Sequence, residues 1–287
     1  MADNAVLERP AVAGPRTRGR ETRPRSARYI RRAVAVVYVV GLVILPVWIV
    51  LWRTIRQGGS AFWNAISAQS AVHAYQVTAI VAGSAVVINT VFGIGVAILL
   101  ARYRFPGRRL LDVLVDVPIS ISPIVVGLAL VLAYGTTTGR FGTDLAKAGI
   151  HVIFSAPGMV LATSFVSLPL VLREVLPVLE EEGIDQDQAA RSLGANAWQR
   201  LIRVTLPTIR WALAYGVVLS IARSLGEFGA LRVVSGDITG QTQTITLVVD
   251  ERAEQFEPGA YQLSLILIAV SVLCMVVISF VRPGGQR

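Results

Sequence analysis

Few residues in this chain could do covalent chemistry, and those few lie apart. The single cysteine, Cys274, sits in an apolar run, and the two histidines, His73 and His151, fall in or near loops between apolar stretches. No GxxxxGK[ST] phosphate loop occurs, so the chain does not bind ATP in that manner. A membrane protease needs a serine beside a base or a pair of facing carboxylates, whereas Asp112 and Asp116 share one helical stretch. The chain therefore reads as a non-enzyme, with neither a thiol metal cluster nor a disulfide framework. What its spacing supports is charge and hydrogen bonding in apolar surroundings. Ser220, Arg223, Ser224 and Glu227 stand at offsets of three, four and seven, on one helix face, with Arg223 and Glu227 able to pair at i, i+4. Ionisable groups at a span's centre cost about 2.5 to 3.5 kcal/mol each. The set is thus either a pathway-facing stripe or a self-neutralised pair near an interface. Asp112, Asp116 and Ser120 repeat at intervals of four as a second stripe, for which interfacial exposure is the rival reading. Asn89 reads as an interhelical hydrogen bond.

One long polar passage, Glu180 to Pro207, interrupts the apolar second half. Asp185 and Gln188 have the spacing of an N-cap and its capping-box partner, opening a short helix over Gln186 to Leu193. Gly194 can close that helix in a left-handed conformation, and Asn196 with Gln199 repeats the box to open a second arm through Trp198, Leu201 and Ile202. On this chemistry alone the hairpin is a connecting loop, a DNA-binding helix-turn-helix or a docking element.

The elements that must hold these groups are membrane spans. A mean hydropathy of +0.61 with 54% hydrophobic residues is too apolar for a soluble domain of this length and fits several spans. The fold class is an all-α integral membrane protein with six transmembrane helices: 33–52, 77–101, 111–134, 157–176, 208–230 and 260–280. A span of about 20 residues at roughly 1.5 Å each matches a hydrocarbon core about 30 Å thick. Pro46 should kink the first span, Pro118 and Pro123 bend the third, and Pro169 interrupt the fourth; the fifth should begin just after Pro207.

The net charge of +9 is concentrated in a leader, residues 1–32, where arginines alternate with Pro10, Pro15 and Pro24. Too poor in large apolar residues to fold, the leader reads as disordered, and its partner as anionic membrane lipid rather than nucleic acid. The Arg31-Arg32 pair resembles an export signal, but the long run after it fits an uncleaved first span. The leader, the loop with Arg102, Arg104, Arg108 and Arg109, and the polar hairpin fall on one side, which the positive-inside rule makes cytoplasmic, together with both termini and the tail 283–287. Arg53 and Arg56 fall on the outer side against that rule but are outvoted by the leader. The segment between the last two spans should lie outside. Ile245, Leu247, Val248 and Val249 there suggest a surface-dipping helix, or else a plain loop, and Asp250, Glu251, Glu254 and Glu257 a solvated acidic face.

Ala189-Ala190, three residues, Gly194, nine residues and Val204-Thr205-Leu206-Pro207 resemble the signature E-A-A-x(3)-G-x(9)-I-x-L-P of ATP-binding-cassette importer permeases. Gln188, with Asp187 beside it, stands where the signature has glutamate, and Val204 where it has isoleucine. Ser224 to Ala230, Val233 to Gly236 and Gly240 to Thr244 are similar to the oxyanion branch, in particular to W-type subunits of sulfate/thiosulfate importers, over residues 31–282. The resemblance implies the type-I (MetI-like) permease fold and localisation in the cell's inner (plasma) membrane. It further implies a T-type permease partner, a cytoplasmic ABC ATPase dimer binding ATP and Mg²⁺, and an extracytoplasmic sulfate-binding protein. It casts Asp187, Gln188, Ala189, Ala190, Gly194, Leu206 and Pro207 as ATPase-coupling residues, while the polar stripes offer Ser120, Ser220, Arg223, Ser224 and Glu227 as pathway residues. Molybdate or tungstate permeases share the motifs around Gly226-Glu227. A stand-alone channel or secondary carrier fits the hydropathy but not the hairpin.

Overall fold

Prolines set where this chain bends, and the apolar runs between them are helical. The computed structural model describes residues 25–281, apart from 138 and 258. Residues 1–24 of the leader and the tail 283–287 lie outside the described residues, and helix already begins at Arg25, inside the leader expected to be unfolded.

The chain divides into two units, residues 1–48 and 49–287. In the first, α1 (Arg25–Val39) passes through a π-helical turn at Val40–Ile44 into α2 (Leu45–Arg56), which runs on into the second unit from Ile49. The Leu45 N–H donates to the Val40 carbonyl, five residues back. Pro46 is the cause: it has no N–H, and its ring presses on the turn below, which widens to admit it. The same device recurs at Leu201–Thr205, where the Leu206 N–H reaches the Leu201 carbonyl ahead of Pro207.

The second unit continues through α3 (Gly58–Ser67), α4 (Gln69–Arg102), α5 (Arg108–Ser120), α6 (Pro123–Tyr134), α7 (Gly142–Lys147) and α8 (Ala156–Glu182). It then runs through α9 (Asp185–Ser192), α10 (Ala197–Arg200), α11 (Leu206–Leu225), α12 (Gly229–Val234), α13 (Ile245–Glu254) and α14 (Gly259–Val281). α8 is the centre of the packing, against α4 and α11 on its long faces and α5, α6 and α12 elsewhere. Its Val171 is fully buried between two glycines. A Cβ on Gly93 of α4 would stand 3.1 Å from the Val171 Cβ, and one on Gly216 of α11 would stand 3.0 Å from its Cα. Lipid tails are as apolar as leucine, so spans associate by such close small-residue contacts rather than by the hydrophobic effect.

Among the described residues, five helices are long and apolar enough to cross a membrane: Arg31–Arg56, Gln69–Arg102, Ala156–Glu182, Ala197–Leu225 and Gly259–Phe280. A sixth is counted if Arg108–Ser120 and Pro123–Tyr134, bent by 110°, form one span. Three expectations are corrected. The third span is broken into α5 and α6, not merely bent. Ser122 precedes Pro123 and so is driven out of the helical region, to φ −60° and ψ 133°. The fourth span is not interrupted at Pro169: α8 runs unbroken through Pro169 and Pro177, as membrane helices can when their neighbours compensate the lost hydrogen bond. The fifth does not start at Pro207, since helix is continuous from Ala197 to Leu225, and it ends short of Glu227. Between the last two spans α13 is indeed helical, but Ile245 and Val248 pack on Ala71, Ala74 and Leu263 rather than on a lipid surface.

Candidate functional site

The polar passage folds as the hairpin α9–α10. Gly194 turns it with φ +85°. The expected second capping box is present: Asn196 Oδ1 accepts from the Gln199 N–H at 2.8 Å, and Gln199 Oε1 accepts from the Asn196 N–H at 2.9 Å. The first box is not formed. Helix starts one residue earlier than expected, so Ile184 occupies the cap position and Asp185 is already helical; its charge then acts on the helix dipole rather than as a cap.

Asp187 points into its own chain. Arg102 Nη1, at the end of α4, donates to Asp187 Oδ1 at 2.7 Å, and Arg200 Nη1, at the end of α10, donates to Oδ2 at 2.5 Å. A cleft of about 350 Å³ beside them is lined by Arg102, Tyr103, Asp187, Gln188, Arg191 and Arg200, among others. Gln188, Ala189 and Gly194 are exposed and Ala190 is half-buried. Leu193 and Trp198 stand 89% and 68% exposed, an apolar face with nothing on it among the described residues. Leu206 and Pro207 lie within the helix that continues from this hairpin into α11.

The intramembrane polar groups meet on α8. Asn89 Nδ2 donates to Ser167 Oγ at 2.8 Å, and Ser167 Oγ is 3.3 Å from Ser224 Oγ, so one hydroxyl joins α4, α8 and α11. Asn89 is thereby the interhelical bond expected of it. Ser220 and Ser224 are buried in this packing and do not stand on an open face. Arg223 does pair with Glu227, at 2.7 Å. Glu227, however, is off the helix, because α11 ends at Leu225 and Gly226 opens the turn. Its Oε1 accepts from the Ala230 N–H at 3.0 Å, and its carbonyl accepts from Thr246 Oγ1 at 2.9 Å. Glu227 thus joins α11 to α12 and α13.

Asp112 and Asp116 share an ion-pair partner that the sequence pattern did not single out, Arg173 of α8. Its Nε donates to Asp116 Oδ1 at 2.8 Å, and Nη2 lies 2.9 Å from Asp112 Oδ1. Ser120, the last residue of α5, is exposed. The acidic segment between the last two spans is likewise paired rather than merely solvated: Arg232 lies 2.7 Å from Asp237 and 3.6 Å from both Asp250 and Glu254.

Residues 89–284 match the family model described as "Binding-protein-dependent transport system inner membrane component". The chain belongs to this family. It is a membrane-spanning permease component. Among curated relatives it is 44% identical over 250 residues to the sulfate transport system permease protein CysW of Synechocystis sp., covering 87% of this chain and 90% of that protein. It is also 37% identical over 254 residues to the sulfate transport system permease protein CysT of Escherichia coli K12, covering 88% and 91%. The crystal structure of a bacterial alginate ABC transporter superposes with a TM-score of 0.72 over 91% of this chain and 94% of that chain. At 18% identity that likeness carries the fold alone. The all-α permease fold read from the sequence is the one observed, with six spans when the bent pair α5–α6 is taken as one, and the exposed hairpin and the α4–α8–α11 core are two of the places built from its polar residues.

Proposed function

We propose that the chain is the W-type permease subunit of an ATP-driven sulfate/thiosulfate importer. The carrying observation is the 44% identity to a CysW protein along nearly the full length of both chains. In this reading it forms the translocation pathway with a T-type permease and takes substrate from an extracytoplasmic sulfate-binding protein. Transport is driven by a cytoplasmic ABC ATPase dimer that holds the ATP and Mg²⁺, while this chain itself catalyses nothing. The protein lies in the inner membrane with both termini and the hairpin cytoplasmic, the orientation the arginine clusters favour.

The hairpin is the coupling element. Gln188, Ala189, Ala190 and Gly194, with the apolar Leu193 and Trp198 beside them, supply an exposed face for the ATPase, while Leu206 and Pro207 carry the helix on into the membrane. Asp187 acts from behind, holding α9 in place. On the pathway side, Ser120 and Arg223 are the accessible members of the set, and Ser220, Ser224 and Glu227 support them from within. Uptake of labelled sulfate in a strain lacking its own W-type subunit tests the reading. Restored uptake that survives excess molybdate is expected; restoration of molybdate uptake alone would move the assignment to the molybdate/tungstate permeases, and transport independent of the ATPase would overturn it.

A further inference from the structure

Arg53 and Arg56 lie in the last turn of α2, on the side that the positive-inside rule leaves sparse in basic residues. Arg102, Arg173, Arg200, Arg223 and Arg232 each sit against a carboxylate. Neither Arg53 nor Arg56 has a carboxylate partner among the described residues. Each is laid instead on an aromatic ring: the Arg53 guanidinium is 5.3 Å from the Tyr261 ring centre, and that of Arg56 is 5.0 Å from the Trp52 ring. Stacking fixes the plane of a guanidinium and leaves its N–H edge free to donate.

Both arginines border a groove of about 560 Å³ whose other walls are Ile49, Trp52 and Gln57. Gln57 is held from below by a hydrogen bond with Gln262. One part of the groove is apolar and the other carries two cations with no carboxylate beside them among the described residues, the shape of an amphiphile rather than of a small ion. The position along the span agrees. The helix Arg31–Arg56 has 26 residues, about 39 Å of rise against a hydrocarbon core of about 30 Å, so its last turn reaches the headgroup layer. Trp52 and Trp63, both exposed, and Tyr261 are of the residue types that mark that layer.

We propose that Arg53 and Arg56 bind the phosphate of an anionic phospholipid in the leaflet where α2 ends, with an acyl chain running along Ile49 and Trp52. A guanidinium fork matches two phosphate oxygens, and two forks one helical turn apart suit one headgroup. A free inorganic oxyanion offers the same acceptors but leaves the apolar part of the groove empty. This inference rests on the span and its aromatic neighbours, not on which solute the permease carries.

The test uses the full chain, purified in detergent and exchanged against equal amounts of phosphatidylglycerol and phosphatidylcholine, with retained lipid counted by native mass spectrometry. The wild type is expected to prefer phosphatidylglycerol, and the preference to fall about fivefold for each arginine removed in Arg53→Gln and Arg56→Gln. Arg53→Lys with Arg56→Lys should keep part of it. Both side chains are exposed, so the variants should elute as the wild type does on size exclusion. Equal retention of the two lipids by the wild type, or an unchanged preference in the double glutamine variant, would overturn the proposal. Displacement of phosphatidylglycerol by millimolar sulfate would do so too, assigning the arginines to the free anion.

Discussion

Asp187 of the hairpin closes on Arg102, the last residue of α4, across 85 positions of sequence at 2.7 Å, with Arg200 on its other oxygen. The carboxylate beside Gln188 is therefore spent inside the chain. It fixes the orientation of α9 against a span, so a partner meets a positioned helix rather than a loose loop. Removing it leaves two guanidiniums without a counter-ion where all three side chains are at most one-fifth exposed.

Asp187→Ala is expected to cost about 2 to 4 kcal/mol of local stability. It should lower sulfate uptake severalfold and reduce ATPase co-purification while the chain still reaches the membrane. Asp187→Glu should recover part of both. Wild-type co-purification and uptake in Asp187→Ala would mean that the ion pairs do not position the hairpin.

Gly194→Val is expected to abolish uptake without loss of membrane insertion. No atom lies within 4 Å of a Cβ built at this position, so the cost comes from the positive φ of +85° alone, about 1 to 3 kcal/mol. Gly194→Asn, which tolerates that conformation better, should be the milder change, and binding-protein-stimulated ATP hydrolysis reads the difference.

Gly216→Val should act quite differently. Its Cβ would meet the Val171 Cα at 3.0 Å, a backbone contact that only separation of α8 from α11 can relieve. Overpacking of this kind costs about 1 to 3 kcal/mol. A lowered melting temperature in detergent and a reduced yield of folded chain are expected. Gly95→Ala, with open space at its Cβ, should be neutral by the same assay.

Arg173 and Asp116 should be energetically coupled. Both side chains keep partial access to solvent, so the coupling is expected to be about 1 to 2 kcal/mol in a double-mutant cycle of Arg173→Gln and Asp116→Asn. Additive effects of the two substitutions would show that the pair does not hold α5 to α8.

What was legible in the sequence was local or periodic. The spans announced themselves by apolar length, and the Asn196–Gln199 box by a spacing of three whose partners both lie in one turn. Gly194 stood out because a single residue type suits its conformation. The ion pairs that organise the sites were not legible. Arg173 and Asp116 are 57 positions apart and Arg102 and Asp187 are 85 apart, and no periodicity links them. Ser167 was missed because one serine in an apolar helix has no pattern of its own, although it joins three spans. One boundary failed where a neighbouring residue decided: Ser122 left the helix because Pro123 follows it.

The uninterrupted helix from Ala197 to Leu225 makes the hairpin's second arm and the fifth span one lever. At 29 residues it is a rod roughly 43 Å long, and a tilt of about 10° at one end displaces the other by about 7 Å. A push on Trp198 would therefore reach Arg223 as a sideways swing across most of a membrane's thickness, without any helix having to melt.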